Sequence, residues 1–303
     1  MRFLIVNSDD FGYSREVNTA VMRAHREGIL TSASLMVAEA GFAEAVAMAR
    51  ATPSLGVGLH VAVSYDHALL RPAEIPHLVD ASGRFGADPL RVSLRYAFSR
   101  AAQAELRREM EAQFERFAQT GLPWSHVDGH QHMHLHPVVW DILLELCDRY
   151  SIHRLRIPHE ELRAHFRAGG DGFSLNTVAS LFLRVQRRRC LRTLRQRAAQ
   201  GKPVIFHCDR VYGQLQTGNM HTDYLLRLLP RLKGCISEVY FHPGSPHAHL
   251  LPAAEQCGGV RDMELQALLA PEARASIDHL NLRLCRYIDA EQESQISRAG
   301  PLR

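Results

Sequence analysis

Residues 2–12 read RFLIVNSDDFG, an almost unbroken apolar run closed by two aspartates and a glycine. A strand that is hydrophobic throughout, without alternation, belongs to a parallel sheet covered on both faces. Residues 14–27 follow with Val17, Ala20, Val21 and Ala24 at helical spacing. The alternation continues down the chain. Segments 31–37, 55–61, 125–128, 154–157, 203–206 and 237–241 read as strands, and 42–51, 102–119, 137–150 and 222–232 as helices. Leu106, Met110, Phe114 and Phe117 form one stripe in 102–119, and Pro137 stands at a helix start. About seven strand-and-helix units point to an α/β fold, an irregular, TIM-like (β/α) barrel with about seven parallel strands. An open dinucleotide-binding sheet is disfavoured, because SDDFG stands where a GxGxxG turn would follow the first strand. One barrel domain is expected over residues 1–289, with an inserted helical segment near 173–199. The polar residues 290–303 are expected to form a disordered tail.

The 303 residues are 46% hydrophobic and 22% charged, which excludes a disordered chain, a collagen-like repeat and a disulfide scaffold. A net charge of +4 is too small to imply a nucleic-acid surface, so no nucleic-acid partner is expected. Cys147, Cys190, Cys208, Cys235, Cys257 and Cys285 show no CxxC pair, which reads as reduced, mostly buried thiols. The first residues are too short in apolar run for a secretory leader, and no window reaches the ~18 apolar residues of a membrane span. A cytoplasmic protein is expected, with contact at the inner face of the membrane left open. The 18 histidines exceed what packing needs.

Segment 173–199 breaks the alternation. It is apolar early (Leu175, Val178, Leu181, Leu183) and then carries Arg184, Arg187, Arg188, Arg189, Arg192, Arg195 and Arg197. It reads either as a solvated helix on the barrel exterior or as a basic amphipathic helix on an anionic membrane surface.

The polar clusters fall at the ends of the expected strands. Asp9 and Asp10 close the first and His60 the third; the run 126–136, HVDGHQHMHLH, leaves the next; His242, in FHPG, closes the last. In parallel barrels the loops after the strand C-termini build the active face, so four such clusters converge on one cavity. Adjacent aspartates on an extended segment point to opposite faces, leaving one to bind a cation and the other to move protons. The structural alternative is a cap for the helix beginning near Ser14. His126, Asp128, His130, His132, His134 and His136 all occupy even positions and would share one face of an extended segment. Singly, such a histidine is a core or surface residue. Together they signal a metal site, the surplus orienting ligands through the second ring nitrogen.

His60 and one carboxylate complete a two-histidine, one-carboxylate set that polarises a carbonyl and activates water. Asp10 as ligand, Asp9 as base and His242 as acid suit hydrolysis; non-haem iron oxygenases use the same ligand set. His207 reads as structural, and His67, His77, His159 and His279 as surface residues.

NSDDFG, GLH at His60, HVDGHQHMHLHP and EVYFHPG occur in the order seen in YdjC-like carbohydrate deacetylases, and the chain resembles that family from about residue 2 to about 290. It is most similar to the hopanoid-biosynthesis-associated branch, in residues 15–38 (REVNTAVMRAHREGILTSASLMVA) and 222–244 (TDYLLRLLPRLKGCISEVYFHPG). The resemblance implies a (β/α) barrel related to glycoside hydrolases and polysaccharide deacetylases. It implies divalent-metal hydrolysis of an N-acetyl group, with Asp10, His60 and His130 as ligands, Asp9 as base and His242 as acid. His126, Asp128 and His132 become the supporting shell. Ser8, where Ala is common, and Gly244, after the final His-Pro, depart from the pattern without touching the ligands. The implied substrate is an N-acetylglucosaminyl hopanoid; chitooligosaccharides, another soluble N-acetyl sugar or a different small molecule are the alternatives. The metal stays open among Zn, Mg, Mn, Fe and Co. A membrane-anchored substrate favours the docking reading of 173–199, and a homodimer is compatible with the sequence.

Overall fold

The computed structural model describes residues 2–172, 175–244 and 259–299. In chain order the elements are β1 (Arg2–Phe11), α1 (Arg15–Glu27), β2 (Ser32–Leu35), α2 (Phe42–Arg50), β3 (Gly56–Val61), α3 (Pro89–Phe98), α4 (Arg100–Ala118) and β4 (Val127–Gly129). A 3-10 segment (His130–Leu135) leads into α5 (Pro137–Arg149), α6 (Leu162–Arg167), α7 (Leu175–Ala199), β5 (Arg210–Tyr212) and α8 (Thr222–Leu228). The chain closes with β6 (Ile236–Phe241), α9 (Gly259–Leu269), α10 (Pro271–His279), β7 (Leu282–Leu284) and α11 (Tyr287–Ala299).

All strand pairs are parallel, in the order β4-β3-β2-β1-β6-β5. β7 pairs with Arg2–Leu4 of β1, below the point where β2 joins the same edge. The sheet curls into an irregular (β/α) barrel, as the alternation predicts. Segments 154–157 and 203–206 are not full strands. They make single bridges, Val127 to Leu155 and Arg154 to Phe206, which carry the sheet from β4 toward β5. Pro158 follows the first stretch and Pro203 opens the second, and neither offers a ladder donor.

Local chemistry explains the helix bounds. Ser14 caps α1 by accepting from the Val17 N–H, and Asp88 caps α3 by accepting from Leu90 and Arg91. The stripe Leu106, Met110, Phe114 and Phe117 of α4 is fully buried, as its spacing demands. The helix expected over 222–232 stops at Leu228 and tightens into a 3-10 turn, because Pro230 cannot continue the ladder.

The expected disordered tail is corrected for residues 290–299, which lie in α11. Tyr287 and Ala290 are fully buried, and Glu291 pairs with Arg154. Residues 300–303 lie outside the described residues, as do residues 173–174 of the expected insertion and Cys257. Among the described residues Cys147, Cys190, Cys208 and Cys285 are buried free thiols and Cys235 is exposed. No described helix is long and apolar enough to cross a membrane.

Candidate active site

β1 runs on to Phe11, so Asp9 and Asp10 belong to the strand itself. Its register against β2 slips between Ser8 and Phe11, and Asp10 takes a left-handed backbone with φ 62°. A regular strand would send adjacent side chains to opposite faces. The bulge overrides this: each aspartate has a carboxylate oxygen within 4.8 Å of a His60 ring nitrogen. The expectation of opposite faces is therefore corrected.

The parity of the histidine run fails beyond Gly129. Gln131 and His132 have φ of 51° and 57°, and the chain coils into a 3-10 turn rather than staying extended. His130 turns toward Asp10, with Nδ1 3.4 Å from Oδ1. His132 pairs with the Tyr240 hydroxyl at 3.1 Å, His134 with the Arg156 carbonyl at 3.0 Å and His136 with the Ser93 carbonyl at 3.2 Å. His126 stays on the strand side, 3.0 Å from Ser34 Oγ and stacked on Tyr287 with ring centroids 4.1 Å apart. Gly58 makes room for that ring, since a Cβ there would lie 2.6 Å from it.

Asp10, His60 and His130 are buried, and one donor atom of each lies within 4.8 Å of the others. A carboxylate stands behind each histidine. Asp128 accepts from His60 Nδ1 at 2.7 Å, leaving Nε2 3.7 Å from Asp10. Asp66 lies 3.4 Å from His130 Nε2, leaving Nδ1 for Asp10. Such partners fix the tautomer and orientation of a ligating ring. A second trio, Asp9, His60 and Asp128, is also compact. Its carboxylates are taken by a guanidinium, whose charge repels a cation, so the first trio is the better cation position.

That guanidinium belongs to Arg156, which is fully buried. It donates to both Asp9 oxygens at 2.7 and 2.8 Å, and also pairs with Asp128 at 2.7 Å and Glu238 at 2.7 Å. Asn7 donates to Asp9 at 2.9 Å. His242 stands at the end of β6 with Nε2 3.9 Å from Asp9, and its backbone N–H donates to buried Glu264.

Burial alone would push the His130 imidazole down, but Asp66, Asp10 and Asp9 outweigh it and raise it to about 9. Burial likewise opposes protonation of His60, and Asp128, Asp9 and Asp10 raise it. Burial carries the Asp66 carboxyl up to about 6 against the pull of His130. Burial lowers His126 to about 3, His134 to about 4 and His132 well below its ordinary value, so these three are neutral. Asp9, Asp10, Asp66 and Asp128 are all buried, and Arg156 is paired with Asp9 and Asp128 while Asp10 and Asp66 face the histidines. Protons on His60 and His130, or a divalent cation in their place, bring the cluster nearer neutrality. The mixed oxygen and imidazole donors fit such an ion. Because the ion must displace the His130 proton, and any proton on His60, its affinity is expected to rise at least about tenfold per pH unit below pH about 9. Calorimetric titration at pH 6, 7 and 8 in buffers of differing ionisation enthalpy reads this. An affinity constant over that interval, with no proton released, sinks it.

The structure brings together Asp9, Asp10, His60, Asp128, His130 and His242, with His126 and His132 one contact further out. Arg156, Asp66, Glu238, Glu264, Asn7 and Ser34 were not anticipated. Arg156 left a trace, as an arginine between Leu155 and Ile157 in a strand-like run. Asp66, in the loop after β3, left none. Of the expected surface histidines, His77 and His279 are exposed, while His67 and His159 are half-buried.

A family model described as YdjC-like protein matches residues 3–279. The chain belongs to the YdjC-like family. A carbohydrate deacetylase from Brevibacillus brevis is 43% identical to it over 151 residues, 49% of this chain and 57% of the relative. A chitooligosaccharide deacetylase from Proteus mirabilis is 32% identical over 180 residues, 56% of this chain and 66% of the relative. This YdjC-like chain therefore spans less than two thirds of the length of these curated relatives. Its fold is shared with an Enterococcus faecalis protein described as a cellobiose-phosphate cleavage protein. The TM-score is 0.70 at 21% identity, covering 95% of this chain and 98% of that one.

Proposed function

We propose that this cluster hydrolyses the N-acetyl group of an acetylated amino sugar to acetate and the free amine. The observation that carries the reading is Asp9, clamped between a three-donor cluster and His242, the partly exposed histidine beside it. Asp9 cannot swing away, because Arg156 and Asn7 hold both of its oxygens. Arg156 divides its charge among Asp9, Asp128 and Glu238, which leaves Asp9 able to act as a base. Asp9 takes a proton from the water that adds to the amide carbon. His242, its side chain 20% exposed and steadied by Glu264, gives a proton to the leaving nitrogen as the C–N bond breaks. Asp10, His60 and His130 would hold the divalent cation, with Asp128 and Asp66 orienting the two rings and His126 and His132 packing behind. When bound, that ion supplies carbonyl polarisation and a lowered water pKa.

The substrate we propose is an N-acetylglucosaminyl hopanoid, supported by the likeness of residues 15–38 and 222–244 to the hopanoid-associated branch. Chitooligosaccharides are the second reading, favoured by the name of the Proteus mirabilis relative. Incubation with the acetylated glucosaminyl lipid and with chitobiose, under several divalent metals, separates them by acetate release. His60→Ala and His130→Ala are expected to lose both bound cation and turnover. Oxygen uptake, or phosphate release without acetate, would point to different chemistry.

A further inference from the structure

α7 is built inside out where it precedes its arginines. Thr177 and Ser180 are buried, while Val178, Leu181, Phe182 and Val185, one stripe at helical spacing, face solvent, Phe182 at 61% and Val185 at 62%. α3 is not inverted, since it buries Val92 and Tyr96, but it too exposes apolar side chains, Leu90 and Phe98 at 67% and 82% with Leu94 between them. Seven of the ten large hydrophobics exposed among the described residues lie on these two helices. Scattered exposed apolar residues are ordinary, but a concentration of this kind marks an interaction surface.

Both helices border the open end of the barrel. His136, at the start of α5, pairs with the Ser93 carbonyl of α3, and Arg189 of α7 donates to the Pro137 carbonyl. Arg197 pairs with Asp148 at the far end of α5, so α7 and α5 run side by side in one direction. The residues of α7 before Arg189 therefore project past the start of α5, by roughly 20 Å at the helical rise, on the side where the strands deliver the site. Neither helix contains an acidic residue, and Arg91, Arg95, Arg184, Arg187 and Arg188 border the apolar stripes.

We propose that α3 and the first half of α7 seat the protein on an anionic lipid bilayer with the site mouth facing the membrane. Apolar side chains enter the acyl boundary while arginines meet the headgroups, the composition of an interfacial helix. A second copy of the chain fits worse, because two such faces would set arginine against arginine, and Asp88 at the start of α3 is already paired with Arg91. This surface rests on exposure and charge and is independent of the reaction assigned to the site.

The test is flotation of the full chain with phosphatidylglycerol-containing vesicles and with phosphatidylcholine vesicles, in low and high salt. Binding is expected to the anionic vesicles and to weaken with salt. Phe98→Ser with Phe182→Ser is expected to weaken it by roughly tenfold or more. Both residues are exposed and neither belongs to the site described above, so acetate release from a soluble N-acetyl sugar stays unchanged and reports a folded protein. No binding by the parent chain, equal binding by the double variant, or concentration-dependent dimers abolished by it would overturn the proposal.

Discussion

Asp9→Asn is expected to lower acetate release by roughly 10²–10⁴-fold while the protein holds its divalent cation as before. The substitution keeps the shape of the side chain and removes its ability to take a proton. Asp10, His60 and His130 are untouched, and their orienting partners are Asp128 and Asp66 rather than Asp9. Arg156 loses part of one bidentate contact and retains Asp128 and Glu238, so the cluster stays assembled. The measurement is acetate release alongside elemental analysis of bound metal in parent and variant. Full acetate release removes Asp9 from the role of base. Loss of the ion together with activity moves Asp9 into the cation site.

Arg156→Met is expected to be the most destabilising single change in the site. Methionine leaves Asp9, Asp128 and Glu238 buried without the guanidinium they share, with only His60 beside Asp128. Removing one partner of a buried ion pair costs about 3–5 kcal/mol, a fall in Tm of roughly 5–15 °C. The pH dependence has a definite sign. In the parent chain burial opposes ionisation of Asp128, but Arg156 and His60 hold its carboxyl well below the usual range. A depressed carboxyl adds stability above its unfolded value and loses it as pH falls. In the variant, burial without Arg156 raises the Asp128 and Glu238 carboxyls, so stability is lost as pH climbs through their folded values. The difference in Tm between parent and variant therefore widens from pH 5 to pH 8. Thermal denaturation across that range checks it, and a gap that narrows with rising pH contradicts the account.

The sequence carried the barrel because its strands are written as hydrophobic runs separated by helices, and such runs have few other places to go. It brought the chemistry-bearing side chains to one place because polar residues at the ends of parallel strands are delivered to one face of the sheet. Asp10, His60 and His130 were each legible for that reason. Two local readings failed for one reason. Opposite faces at Asp9 and Asp10, and a shared face for the even-numbered histidines, both assume regular extended backbone. The structure instead has a bulge with Asp10 at φ 62° and a 3-10 turn with Gln131 and His132 in the left-handed region.

What the linear chain determined by itself was the parallel α/β architecture and the residue types that meet at its open end, because side-chain period and strand order suffice for both. Only the tertiary structure decided which carboxylate is clamped and which faces the cation position. That choice depends on Arg156, some 147 residues from Asp9 in the chain, reaching three carboxylates at once. Tertiary packing likewise decided that residues 290–299 are not a free tail, since α11 opens with Tyr287 stacked on His126 and bonded to Glu238. Such contacts are invisible in sequence because burial and charge pairing between distant segments exist only after the sheet has closed.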